Sequence, residues 1–169
     1  MQTLVCLSET WLNSDVLNCS IVGDLPYTVY RSDRANESYG GVCIISRNSS
    51  VQAVQVATTE QFTNTEVVAV DILNVLNPIR CINVYRSPAH DTETHAVSEM
   101  KLLIKCLKRL CDVNRSIVIT GDFNLPSIDW NDLNLVADSD CCSVTFATFT
   151  VQYAFTQHVD SITRPRPSR

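Results

Sequence analysis

Along most of this chain apolar and polar positions alternate with the period of two that marks strands, and one stretch switches to helical spacing. Residues 3–7 alternate weakly and predict a strand that runs into Ser8-Glu9-Thr10-Trp11. The segment Asn13 to Asn18 is polar and belongs on the surface. Tyr27 to Arg31 predicts a second strand, with Pro26 before it as at a sheet edge. Beyond the turn signal Gly40-Gly41, three runs follow: Val42–Ser46, Val51–Thr58 and Glu66–Leu73. Their spacing and polar separators predict an antiparallel meander. Ile79 to Tyr85 predicts a further strand that closes on Tyr85-Arg86-Ser87-Pro88.

Between Thr92 and Cys111 the period changes. Val97, Met100, Ile104, Leu107 and Cys111 fall three or four apart and form one apolar stripe of a helix. Asp91 or Thr92 supplies the N-cap, Glu93 suits the positive end of the first turn, and Lys101, Lys105, Lys108 and Arg109 occupy the solvated faces. Next, Ile117-Val118-Ile119-Thr120 reads as an interior strand, β-branched and apolar, that breaks into Gly121-Asp122-Phe123-Asn124. Leu125 to Asp140 reads as a long polar loop. Ser143 to Tyr153 suits strand and helix alike, residues 155–163 predict a last strand, and residues 164–169 form a disordered tail.

The composition sets the class. With 169 residues, 45% hydrophobic and 18% charged, the chain has one domain's length and enough apolar content for a core. A net charge of -5 argues against binding nucleic acid through bulk charge. The N-terminus has no basic, apolar signal pattern, and no stretch is long and apolar enough to span a membrane. Of the eight cysteines, Cys6, Cys43, Cys81 and Cys106 sit in apolar periodic segments, no Cys-x-x-Cys occurs, and Cys141-Cys142 are adjacent. They read as reduced and structural, which places the chain inside the cell. The sequons at Asn18, Asn36, Asn48 and Asn114 then have no use.

The residues with chemistry to offer lie at predicted strand ends. If the backbone stays extended, Asp122 and Asn124 project the same way from the end of a strand, where open α/β sheets place ligands. A carboxylate binds a cation or takes a proton, and a carboxamide donates to a phosphate oxygen. Asp and Asn after Gly are equally ordinary turn residues. Glu9 reads as a metal ligand or as an acid opening the next turn, and its position alone favours the latter.

The order of motifs decides between these readings. Ser-Glu-Thr-Trp-Leu, Tyr-Arg-Ser-Asp-Arg, Gly-Gly-Val-Cys-Ile-Ile-Ser-Arg, Val-Tyr-Arg-Ser-Pro, a helix, Gly-Asp-Phe-Asn and Thr-Arg follow one another across nearly the whole chain. This series resembles the endonuclease/exonuclease/phosphatase superfamily, and within it the apurinic-type endonuclease domain of non-LTR (LINE-type) retrotransposons. The resemblance implies a four-layer α/β sandwich, with two packed mixed β-sheets flanked by helices, as a partial domain over residues 1–163. It implies that Glu9 ligates a catalytic Mg²⁺ (Mn²⁺ as a substitute), that the Tyr85 hydroxyl faces the scissile phosphate, that Asp122 orients or deprotonates the attacking water, and that Asn124 hydrogen-bonds the phosphate. Arg86 and Arg164 fall where contacts to the substrate are expected. The implied substrate is DNA, nicked on one strand to leave a 3′-hydroxyl, and the implied place of action is the nucleus.

The departures also carry expectations. The family's opening strand, with an asparagine near the metal, has no counterpart here, and neither do its late aspartate and Ser-Asp-His strand. His90, His95 and His158 stand in other settings and read as ordinary residues. The sequence therefore looks truncated at both ends and incomplete at the first and last strands, with open apolar edges and weak or absent activity expected. A non-catalytic remnant or nucleic-acid-binding fragment is the alternative reading, and a phosphatase acting on small phosphoesters is a more distant one.

Overall fold

The computed structural model describes residues 3–34, 39–88, 92–130, 134–135 and 139–159. These fall into two compact units, Met1–Asn124 and Leu125–Arg169. His90, Asp91, the Asn36 sequon, the Thr163-Arg164 pair and the tail lie outside the described residues.

The first unit opens with β1 (Leu4–Ser8), α1 (Asn18–Val22), β2 (Tyr27–Ser32) and β3 (Val42–Arg47). β4 (Ala53–Val56), β5 (Thr65–Ile72), β6 (Ile79–Arg86), α2 (Glu93–Cys111) and β7 (Ser116–Asp122) complete it. One sheet has the order β1-β3-β2 and is antiparallel throughout; the other runs β4-β5-β6-β7 and is mixed. The expected meander is corrected here: β3 pairs with β1 and β2, and only β4 and β5 remain neighbours in one sheet. Alternation identifies a strand and its buried face but not its partner. Val51–Thr58 is also too long a span, since only Ala53–Val56 pairs.

The inner faces of the two sheets meet through Val42 and Ile44 on one side and Val68, Val70, Cys81 and Tyr85 on the other. Polar ties cross the same gap. Asn83, 1% exposed, donates through Nδ2 to the carbonyls of Leu7 (2.9 Å) and Cys43 (3.1 Å), and within its own sheet it accepts the Thr120 hydroxyl at Oδ1 at 3.0 Å. Arg80 points to the opposite face of β6, where its Nη1 donates to the Leu110 carbonyl of α2 at 2.9 Å. Thr92 caps that helix by accepting the His95 N–H, and the buried stripe widens beyond expectation to include Leu103, Cys106 and Leu110. With α1 against β2, helices flank the paired sheets as expected.

β7 was expected inside the sheet but is its edge strand, with Val118 45% exposed. β1 is likewise an edge, and Val5 and Leu7 on its outer face are exposed.

In the second unit, the expected Leu125–Asp140 loop contains a short ladder, β8 (Ile128–Asp129) with β9 (Asn134–Leu135). The ambiguous stretch resolves as α3 (Cys141–Gln152), capped by Asp140, which accepts the Ser143 N–H at 2.9 Å. Residues 155–159 form no strand, and the part of that expectation beyond 159 lies outside the described residues. After a left-handed turn at Ala154, Phe155 packs back on Phe149 and Tyr153, so its aromatic character serves the helix rather than a sheet. All eight cysteines are free thiols. Among the described residues no helix is long and apolar enough to cross a membrane.

Candidate active site

The parallel pairing of β6 and β7 sets Asp122 level with Tyr85, and Gly121 level with Val84. Gly121 makes this register feasible. Its φ is +134°, and a Cβ there would lie 1.8 Å from the Val84 carbonyl oxygen. Only glycine accepts that backbone and that approach. Past Asp122 the chain does not stay extended, contrary to expectation. Asn124 adopts φ +48°, and its N–H donates to Asp122 Oδ1 at 3.0 Å. The two side chains are thus presented from a turn closed on itself, a geometry that Asn tolerates.

Arg86 braces this turn. Its Nη1 donates to the carbonyls of Phe123 and Asn124, both at 3.4 Å, and Asn124 Nδ2 donates back to the Arg86 carbonyl at 2.8 Å. The residue is 5% exposed, and Nε is buried without a partner among the described residues. The Arg86 side chain, expected to contact substrate, lies along the backbone of the Gly-Asp-Phe-Asn turn.

Glu9 follows directly on β1. Its Oε1 accepts the Tyr85 hydroxyl at 2.7 Å, a link between strands 76 residues apart in sequence. Burial raises the Tyr85 phenol above its ordinary value, and the hydrogen bond to the Glu9 carboxylate adds to the shift, because each disfavours the phenolate. Asp122 contributes repulsion in the same direction. Glu9 Oε2 makes no bond among the described residues and is open to a cation or water.

Glu9, Tyr85, Asp122 and Asn124 therefore meet at the C-terminal ends of three strands, all in the first unit. Arg164 lies outside the described residues. Every donor is a hard oxygen or an amide, a set that suits Mg²⁺, which is held by one or two carboxylates and keeps several waters. Among the described residues no three of His, Cys, Asp and Glu gather into a metal cage. Sequence reasoning gave no role to Asn83, Arg34 and Glu66, all buried polar residues beside these strand ends, although Arg34 closes the Tyr-Arg-Ser-Asp-Arg motif. The available signal was a lone polar side chain inside an apolar run: Asn83 within Ile82–Val84, and Glu66 opening Val67–Val70.

Residues 79–169, just over half the chain, match the family profile described as endonuclease-reverse transcriptase. No curated protein sequence matches significantly. Among solved structures, the fold is similar to the endonuclease domain of TRAS1, a telomere-specific non-LTR retrotransposon. That match has a TM-score of 0.58 at 13% identity and covers 88% of this chain and 58% of that one. D. rerio TDP2 complexed with single strand DNA product matches with a TM-score of 0.51 at 14% identity, over 79% of this chain and 53% of that one. Truncated Caenorhabditis elegans TDP2 matches with a TM-score of 0.50 at 12% identity, over 80% and 53%. The chain thus spans little more than half the length of the structures it resembles.

Proposed function

The chain belongs to the endonuclease-reverse transcriptase family, and from that premise we propose that it is a Mg²⁺-dependent DNA-nicking domain of a retrotransposon-type protein, acting in the nucleus. The observation that carries the reading is the convergence of Glu9, Tyr85, Asp122 and Asn124 at one end of the sheets, joined by the 2.7 Å Tyr85–Glu9 hydrogen bond and the Tyr85–Asp122 register.

The chemistry follows from the groups themselves. Glu9 would hold the cation, with Asp122 the other carboxylate within the site. Mg²⁺, when bound, neutralises phosphodiester charge and stabilises the leaving oxygen. With Oδ1 engaged by the Asn124 N–H, Asp122 keeps Oδ2 to take a proton from an attacking water. Asn124 spends one amide hydrogen on the Arg86 carbonyl, and the second is free to donate to a phosphate oxygen as charge builds there. Tyr85, with its phenol raised by burial and by Glu9, stays protonated at neutral pH and serves as a neutral donor. Arg86 is a positioning residue in this scheme, holding the Asp122–Asn124 turn rather than touching DNA.

The test is nicking of supercoiled plasmid by the purified chain in Mg²⁺, with EDTA and Asp122→Ala as controls. Nicking abolished by both supports the reading. A folded chain that does not nick would favour a non-catalytic, nucleic-acid-binding role.

A further inference from the structure

Resting on that reading of Glu9 and Tyr85, we propose that Arg34, Glu66 and the Gly40-Gly41 turn form a positioning frame that holds both residues in place at once. Arg34 and Glu66 form a buried fork-to-fork ion pair: Nε donates to Oε1 at 2.6 Å and Nη2 to Oε2 at 3.2 Å, with side chains 3% and 6% exposed. This pair touches the site from two directions.

One arm is aromatic. The Arg34 guanidinium carbon lies 5.6 Å from the centroid of the Tyr85 ring and 5.4 Å from that of Tyr39. The cation thereby supports the ring whose hydroxyl reaches Glu9. Glu66 stands opposite Tyr85 in the β5–β6 register, so the pair is anchored on the neighbouring strand.

The other arm is backbone. Glu66 Oε2 accepts the Gly41 N–H at 3.2 Å, and the carbonyls of Gly41 and Gly40 accept the N–H groups of Thr10 (3.2 Å) and Trp11 (2.9 Å). Those two amides lie within the Glu9–Trp11 stretch, in which Glu9 and Trp11 both adopt left-handed φ, +53° and +55°. Non-glycine residues hold that conformation only when their surroundings fix it. The Gly40-Gly41 carbonyls fix it here. Both glycines are needed: their φ values are +89° and +83°, and a Cβ would lie 2.8 Å from Arg34 Nε at Gly40 and 2.6 Å from Thr10 Oγ1 at Gly41.

The contacts close a circuit. Tyr85 rests on Arg34, Arg34 grips Glu66, Glu66 holds Gly41, Gly41 holds the Glu9 turn, and Glu9 returns to Tyr85. An opening at Arg34 or Glu66 releases both candidate catalytic groups while leaving their own side chains intact.

The experiment compares wild type, Glu66→Gln and Arg34→Lys by amide hydrogen exchange at Thr10 and Trp11 and by the NMR shifts of the Tyr85 ring, assigned with Tyr85→Phe, alongside kcat and KM for plasmid nicking. In both frame variants the Thr10 and Trp11 amides are expected to exchange roughly 10-fold faster than in wild type, and the Tyr85 ring resonances to shift. Their kcat should fall roughly 10- to 100-fold with KM nearly unchanged, as for lost transition-state positioning. Wild-type exchange at Thr10 and Trp11 with unmoved Tyr85 ring resonances in a folded Glu66→Gln or Arg34→Lys protein overturns the proposal. If Glu66→Gln fails to fold, Arg34→Lys, which keeps the buried charge, decides alone. Exchange and ring shifts read the frame whether or not the protein nicks DNA. Nicking that survives Glu9→Ala and Tyr85→Phe would defeat the catalytic reading and leave the frame standing.

Discussion

The two turns that make up the candidate site are held in opposite ways. The Gly121–Asn124 turn is closed largely by its own residues: Gly121 permits the close pass over Val84, Asn124 closes onto Asp122, and Arg86 on the adjacent strand braces it. Among the described residues the Glu9 turn has no internal hydrogen bond holding it. It depends on Gly40 and Gly41, some thirty residues away, and on Tyr85, 76 residues away. A local turn tolerates change elsewhere in the fold but not at its own glycine. A turn held from a distance should be lost whenever any part of the frame around it gives way.

The sharpest way to break the comparison is Gly121→Ala. The added methyl meets backbone rather than a flexible side chain, and φ +134° is unfavourable for any L-residue. We expect a loss of about 3 kcal/mol or more, large enough to prevent accumulation of folded protein, measured by thermal and denaturant unfolding. Wild-type stability would show that β7 can shift register around this point.

Next in size is Asn83→Ala. The substitution leaves the Leu7 and Cys43 carbonyls without their inter-sheet partner and removes the Asn83 acceptor of the Thr120 hydroxyl on the neighbouring strand. A cost of about 2–3 kcal/mol is expected in urea unfolding, since buried polar groups lose their bonds. The Glu9 turn, which follows Leu7 by two residues, should suffer more than the Asp122 turn. Amide hydrogen exchange that rises at Thr10 and Trp11 but not at Asn124 would sharpen the contrast.

The smallest effect concerns a region that neither turn uses. Arg109 holds the Glu60 carboxyl down at about 2, through a pair whose bonds are 2.7 and 3.1 Å long. A folded value below the unfolded one means that the unfolded chain binds more protons in between. The stabilisation is therefore complete above the ordinary glutamate value of about 4.3 and is lost as pH falls towards 2. Because Arg109 is 42% exposed, solvent screening limits the contribution to about 1 kcal/mol or less. Wild type and Glu60→Gln should differ slightly in unfolding midpoint at pH 6 and converge near pH 2. Neither turn should respond. A change in the Tyr85 environment over that range would indicate coupling that the contacts do not provide.

The same contrast explains what the sequence could disclose. Asp122 and Asn124 were legible because their turn is local and announces itself with Gly121. The stripe and cap of α2 were legible for the same reason, as every signal lies within a few residues. Glu9 was weak as a position and gained its reading only through resemblance, because what fixes it lies in Gly40, Gly41 and Tyr85. Arg34, Glu66 and Asn83 received no role because a buried polar residue declares its importance through partners, and its partners are distant in the chain. The expected meander failed on the same ground: Ile44 and Val68 are both plainly strand residues, yet they sit in different sheets and meet only face to face in the core. Phe155 reads as strand by composition, and its packing on Phe149 is invisible before α3 is known.

The central claim is that these two differently held turns act on one phosphodiester. The most direct test measures plasmid nicking in Mg²⁺ by Glu9→Ala, by Asp122→Ala and by the double variant, each confirmed as folded. Groups that work as one unit are not additive, so both single variants should fall to the level of the double. If the double variant loses the product of two independent effects, or if either single variant nicks like wild type, the two turns do not form one active site.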